Sequence, residues 1–138
     1  MAAGEGYLVS AAMLISLVYR FLIHKRYNRS VRLGYPCISL SLSCRSSKTF
    51  RLASFSEARF SSTVAGNLTC LSETLSLNAD RDLLFFRITS DLIPFASHSV
   101  NTLPWHEEFR SEFRRIGSFI KKNGIRVSMH PDQFVVLN

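Results

Sequence analysis

Residues 83–88, with the sequence LLFFRI, are the stretch that decides the fold. A short apolar run rich in Phe predicts a β-strand that is buried on both sides. The segment before this strand has a helical period, because apolar side chains recur there at spacings of four, three and four. These side chains are Val64, Leu68, Leu71 and Leu75. Ser54 and Glu57 have the spacing of a capping box, which predicts that the helix begins close to Ser54.

A second helix and another strand follow the LLFFRI strand. Pro104 and the acidic residues after it are typical of a helix start, and Gly124 after two lysines is typical of a helix end. The predicted buried stripe of this helix consists of Trp105, Phe109, Phe113, Ile116 and Ile120. Residues 125–129 alternate apolar and polar side chains, which predicts a strand. Residues 31–35 form an earlier strand that Pro36 ends.

The predicted order is therefore strand, helix, strand, helix, strand. Strands that alternate with helices favour an α/β fold with a parallel sheet and right-handed crossovers. The pattern does not choose between an open sheet and the beginning of a barrel. A whole (β/α)₈ barrel needs roughly 250 residues, so a chain of 138 residues holds about its first three strands.

The composition favours a polyanionic partner. The net charge is +7 and the pI is about 9.8, which suits either nucleic acid or an anionic membrane surface. The three cysteines form no CxxC pair, and their number is odd. This count argues against a disulfide framework and a structural zinc site, and predicts reduced thiols in a cytoplasmic protein.

Residues 1–30 are predicted to be an apolar and basic extension, separate from the domain at residues 31–138. The apolar run at residues 7–23 is short for a membrane-spanning helix and is interrupted by Arg20. Two interpretations stay open: a weak membrane anchor, or an extension that has no role in the fold.

Candidate chemistry lies where the predicted strands end, because parallel α/β folds bind ligands at the carboxyl ends of their strands. His98 and His130 follow two neighbouring strands, so both imidazoles can bind one metal ion, or each can stabilise its own turn. Arg45, Lys48 and Arg51 follow the first strand and are candidates for contacts with phosphate. A solvated loop explains the same three cations.

Three longer motifs occur in a fixed order: RLGYPC at residues 32–37, FRITSDLIPFASH at residues 86–98 and IRVSMHPDQF at residues 125–134. Together they resemble successive signatures of the UV damage endonuclease family. Between them, SKTFRL at residues 47–52 and the asparagines Asn67 and Asn78 are similar to the same family's pattern. The likeness extends over about residues 31–138.

This resemblance implies a partial TIM barrel: its first three strands with two crossover helices. It implies a divalent metal cofactor, Mn²⁺ being usual, and UV-damaged double-stranded DNA as the substrate. The implied reaction is hydrolysis of the backbone on the 5′ side of a photoproduct, leaving a 3′ hydroxyl. The implied location is the cytoplasm, in association with the nucleoid.

The resemblance also assigns roles to particular residues. His98 and His130 match the catalytic metal-site histidines. Gln133 and Phe134 match the pair that probes the duplex opposite an extruded lesion. Tyr35 matches a lesion-pocket tyrosine. Ser39 occupies the position of the lesion pocket's usual asparagine. The contact with the lesion there therefore departs from the family's pattern.

The family's other ligands lie on later strands, so we expect the full active site to require residues beyond Asn138. Two alternatives to a repair nuclease follow. One is an inactive remnant without catalysis, and the other is a small basic protein anchored to a membrane through residues 7–23.

Overall fold

The computed structural model describes residues 32–129, which form a three-stranded parallel sheet covered by helices. In chain order the elements are β1 (Gly34–Pro36), α1 (Glu57–Asp80), β2 (Phe85–Ile88), α2 (Trp105–Glu108), α3 (Arg110–Lys122) and β3 (Arg126–Met129). Short 3₁₀ turns lie at Leu52–Ser54 and Ser90–Leu92. The predicted α/β order with a parallel sheet is confirmed. No helix within residues 32–129 is long and apolar enough to cross a membrane.

The sheet has the strand order β1-β2-β3, so neighbours in sequence are also neighbours in space. Tyr35 pairs with Phe86 and Phe86 with Val127, which places these three on one face. Gly34 pairs with Phe85 on the opposite face, where the strands approach very closely. A methyl group on Gly34 would meet the carbonyl oxygen of Phe85, so only glycine allows this pairing.

The core lies between the helices and the face of the sheet that carries Phe86. Phe86 is fully buried, as are Val64 and Leu75 on the facing side of α1. The predicted buried stripe of α1 is therefore confirmed. The predicted burial of the LLFFRI strand on both sides is wrong within the described residues, because Phe85 and Arg87 on its other face are partly exposed.

Both predicted helices differ from the prediction: the first begins at a later residue, and the second is divided into two helices. α1 begins after Ser56, whose Oγ accepts a hydrogen bond from the amide of Arg59 at 3.3 Å, whereas Ser54 lies in a 3₁₀ turn. The helix predicted after Pro104 is divided at Phe109, which has φ −101° and ψ 19°. Division at this point still lets Phe109 and Ile116 enter the core.

The two long helices end in the same way. At the end of α1, Leu83 donates to Asn78 O at 2.8 Å and Asp82 donates to Ala79 O at 3.3 Å, with Asp82 at φ 57°. This is a Schellman motif, in which a left-handed residue ends the helix. At the end of α3, Ile125 donates to Ile120 O at 3.1 Å and Gly124 has φ 62°. Both motifs turn the chain directly into the next strand.

Candidate nucleic-acid interface

The loop that leaves β1 carries the three predicted phosphate-binding cations. Cys37 turns the chain away from the sheet at φ 58°, and its amide donates to Arg87 O at 2.7 Å. The side chains of Arg45, Lys48 and Arg51 are all exposed. Exposed cations can reach a phosphate backbone, neutralise its charge and release its condensed counterions.

A disulfide between Cys44 and Cys70 attaches this loop to α1. The expectation of reduced thiols is therefore wrong for two of the three cysteines, and Cys37 is the free one. Their 26-residue separation hides the pairing in the sequence, yet the folded loop brings the Cα atoms to 5.7 Å. That distance lies within the range that disulfides require.

The loop that leaves β2 carries His98. Thr89 Oγ1 accepts from the amide of Asp91 at 3.2 Å and so begins the 3₁₀ turn. Phe95 has φ 56°, a left-handed conformation that is unusual for a bulky residue. Its carbonyl accepts from the amide of His98 at 3.1 Å and from Asn101 Nδ2 at 3.3 Å, which fixes the turn that presents His98.

Aromatic rings join the two loops. The ring centroid of Phe50 lies 5.3 Å from that of Phe95 in an edge-to-face arrangement. Phe50 belongs to the loop after β1 that carries Arg45, Lys48 and Arg51, called the basic loop below. The ring centroids of Phe55 and His98 each lie 6.0 Å from that of Phe95. Such pairs stabilise by roughly 0.5–1.5 kcal/mol beyond the area that they bury. The basic loop and the His98 loop therefore form one continuous surface.

Arg59 adds a fourth cation to this surface. Its guanidinium carbon lies 5.6 Å from the centroid of the Phe50 ring, and its side chain is exposed. Arg59 was not among the residues predicted from the sequence. The signal for it was its place in the first turn of a helix that follows directly on the basic loop.

Tyr35 and Ser39 line the same open cavity, of about 320 Å³, together with Leu77 and Arg81. The structure thus brings together two predicted lesion-binding residues, Tyr35 in β1 and Ser39 in the loop after it. The hydroxyl of Tyr35 donates to Asn78 Oδ1 at 2.7 Å, while its ring lies 5.3 Å from that of Phe86. The hydroxyl consequently has a partner inside the protein, and the ring is partly exposed.

The described residues alone do not fit a divalent metal ion. Residues 32–129 contain no group of three His, Cys, Asp or Glu side chains that could hold one. His98 is exposed, and its Nδ1 accepts from the amide of Val100 at 3.1 Å. In the neutral ring the proton then lies on Nε2, which leaves that nitrogen without a lone pair for a metal. His130, Gln133 and Phe134 lie outside the described residues.

The fold and the loops define a class: a parallel α/β protein whose basic and aromatic loops follow the carboxyl ends of its strands. The chain belongs to the UV-endonuclease UvdE family, whose model matches residues 31–138. It is similar to the UV DNA damage endonuclease of Clostridium perfringens (strain 13 / Type A), with 40% identity over 108 residues. That match covers 78% of this chain and 26% of the relative.

Two further comparisons agree with this membership. The UV DNA damage endonuclease of Bacillus pumilus (strain SAFR-032) is 34% identical over 74 residues, covering 54% of this chain and 23% of that protein. The crystal structure of SacUVDE superposes with a TM-score of 0.74 and 43% identity, covering 77% of this chain and 37% of that one. These matches cover between 23% and 37% of the length of these relatives.

Proposed function

We propose that this chain acts in the repair of UV-damaged DNA as part of a metal-dependent endonuclease that cuts on the 5′ side of a photoproduct and leaves a 3′ hydroxyl. Family membership supports the repair role. The single structural observation that carries the proposal is the ring contact between Phe50 and Phe95, which unites the basic loop with the His98 loop.

The proposed fold of the working enzyme is a TIM barrel, of which β1, β2 and β3 are consecutive strands. Their parallel pairing in sequence order supports this arrangement, as do the helices on one face of the sheet. The other face carries Phe85, Arg87 and Ser128 around a cavity of about 360 Å³. In a barrel this face points inward. Residues 31–138 form the barrel part of the proposal, and residues 1–30 an extension outside the described residues.

The proposed DNA contacts follow the two groups that the structure brings together. Arg45, Lys48 and Arg51 neutralise phosphates, since they are exposed on a loop that a disulfide holds in place. Tyr35 and Ser39 contact the lesion from their common cavity. Gln133 and Phe134 are the proposed residues that probe the duplex opposite the lesion.

The proposed cofactor is Mn²⁺, with His98 and His130 as two of its ligands. The support is the position of His98 on the loop after β2, together with the resemblance to the family. Binding of the metal ion through His98 requires the imidazole to break its hydrogen bond with the amide of Val100 or to flip its ring. Titration of Mn²⁺ into isotope-labelled protein is expected to broaden the NMR amide signals of the residues next to His98, such as Ser99 and Val100. The same titration with His98→Ala, in which these signals are expected to stay sharp, is the control. Equal broadening in both proteins contradicts the assignment.

The decisive test of function uses the full chain and a labelled duplex that contains one defined photoproduct. Fluorescence anisotropy is expected to show tighter binding to this duplex than to the undamaged duplex of the same sequence. Incubation with Mn²⁺, with and without excess chelator, then tests whether the chain alone cuts on the 5′ side of the lesion. No product is expected from this chain alone, because residues 32–129 contain no group of three side chains that could hold the metal ion.

Each outcome of this test separates two hypotheses. Incision shows that the chain holds a sufficient catalytic set. Preference for the damaged duplex without incision assigns lesion recognition to the chain and contradicts catalysis by it alone. Equal affinity for both duplexes contradicts the proposed function and favours the inactive remnant.

A further inference from the structure

Asn67 is a fully buried amide in the middle of α1, between the apolar side chains of Val64 and Leu68. A buried amide without partners destabilises a fold by about 1–3 kcal/mol, so such a residue is retained where hydrogen bonds satisfy it. In this chain the side-chain hydrogen bonds of Asn67 all join α1 to two loops outside the helix.

The first set of bonds pairs the Asn67 side chain with the main chain of Lys48. Oδ1 accepts from the amide of Lys48 at 3.0 Å, and Nδ2 donates to the carbonyl oxygen of Lys48 at 2.9 Å. Two opposed bonds to one residue imitate the pairing of neighbouring strands and fix both the position and the direction of the loop. The Lys48 side chain remains exposed.

The second set of bonds reaches the turn after β2. Nδ2 of Asn67 donates to the carbonyl oxygen of Leu92 at 3.1 Å and to that of Asp91 at 3.3 Å. Both residues belong to the 3₁₀ turn Ser90–Leu92, which precedes the loop that carries His98. One side chain thus connects a candidate phosphate contact with the segment that leads to a candidate metal ligand.

The disulfide adds a second attachment for the same loop. Cys70 lies three residues after Asn67 in α1 and is bonded to Cys44. The loop is consequently held to one helix at Cys44 and again at Lys48, and Arg45 lies between the two attachments. A main chain fixed at both points presents its cations in a defined direction instead of sampling many.

We infer that Asn67 is a positioning residue for DNA binding: it holds Lys48 against the Ser90–Leu92 turn so that the cation meets a phosphate. This inference rests on the proposed function, because it requires that Lys48 contacts DNA.

The test compares Asn67→Ala with Thr74→Ala in the full chain. Thr74 is also buried in α1, but its hydroxyl donates to Cys70 O within the helix at 2.8 Å and contacts neither loop. Anisotropy of a labelled duplex is measured over a series of salt concentrations. Each phosphate contact contributes about 0.9 to the slope of log K against log salt.

Asn67→Ala is expected to lower the magnitude of the slope by about 0.9, the contribution of one phosphate contact, as Lys48→Ala does. The double variant Asn67→Ala/Lys48→Ala is expected to lower it no further. Thr74→Ala is expected to keep the wild-type slope although it also unfolds more easily. A wild-type slope in Asn67→Ala, or additive effects of the two substitutions, would overturn the inference and leave Asn67 a purely structural residue.

Hydrogen exchange separates this result from a failure of the proposed function. The amide of Lys48 is expected to be protected in the wild type and to exchange at least tenfold faster in Asn67→Ser. This variant keeps a small polar side chain and is used in case Asn67→Ala does not fold. An unprotected Lys48 amide in the wild type contradicts the positioning contact itself. A protected amide in a protein that binds no DNA contradicts the proposed function instead.

Discussion

The hydroxyl of Tyr35 supports a prediction that bears on both stability and lesion binding. Its bond to Asn78 Oδ1 is 2.7 Å long, and Asn78 is fully buried. Asn78 Nδ2 has no hydrogen-bond partner within residues 32–129. Tyr35→Phe therefore leaves both polar atoms of a buried amide unpaired.

The expected cost of Tyr35→Phe is about 2 kcal/mol, since a lost hydrogen bond that strands a buried acceptor costs roughly 1–3 kcal/mol. For a domain of roughly 100 residues this corresponds to a fall of about 8–16 °C in Tm. Urea unfolding followed by circular dichroism gives the free energy of unfolding directly.

A double-mutant cycle with Asn78→Leu supplies the control. Because Asn78→Leu removes the stranded amide, the double variant is expected to be more stable than Tyr35→Phe alone. A loss below about 0.5 kcal/mol for Tyr35→Phe, with additive effects in the cycle, would refute the reasoning. Unchanged stability together with weaker binding to a photoproduct would show that the hydroxyl contacts DNA instead of Asn78.

Four other variants have defined outcomes. Replacing Cys44 and Cys70 by Ser is expected to cost about 3–4 kcal/mol, from the 26-residue separation that the disulfide closes. A thiol titration of the unfolded, unreduced wild type should find one thiol, and three would contradict the bond. Gly34→Ala is expected to cost at least about 3 kcal/mol in urea unfolding, because the new methyl meets the Phe85 carbonyl. Gly66→Ala, which meets nothing within 4 Å in α1, should instead stabilise by about 1 kcal/mol, and equal losses for both would contradict the clash. Gly124→Ala is expected to lower stability by about 1–2 kcal/mol because φ is 62° there, and an unchanged Tm would contradict this.

The order of the elements could be predicted because helices and strands leave different apolar periods in a sequence. Val64, Leu68, Leu71 and Leu75 have a spacing that only a helix brings to one face, and all four are buried. Helix boundaries were less accurate. Ser54 and Ser56 both precede a helix-forming segment, and the main-chain angles of Ser56 decide that it is the cap.

Contacts between distant segments could not be predicted, because periodicity contains no information about which loop meets which helix. The bond between Cys44 and Cys70 depends on the path of the loop, and neither spacing nor count reveals it. Asn67 was visible only as part of a resemblance, although a polar residue on an apolar helical face is itself a signal of a buried hydrogen-bonding role. His98 and Tyr35 remain predictions as site residues.

The two Schellman motifs have a consequence for how the sequence of this domain can change. At Asp82 and Gly124 the helix passes into the next strand within two or three residues. An insertion of one residue there would shift the register of the strand and turn its core side chains to the opposite face. The loops after β1 and β2 are held to α1 at Cys44, at Lys48 and at the Ser90–Leu92 turn, but between and beyond these attachments their length is free to change. Insertions and exchanges are therefore expected to accumulate at one end of the sheet, where they alter what is bound, while the other end keeps its length.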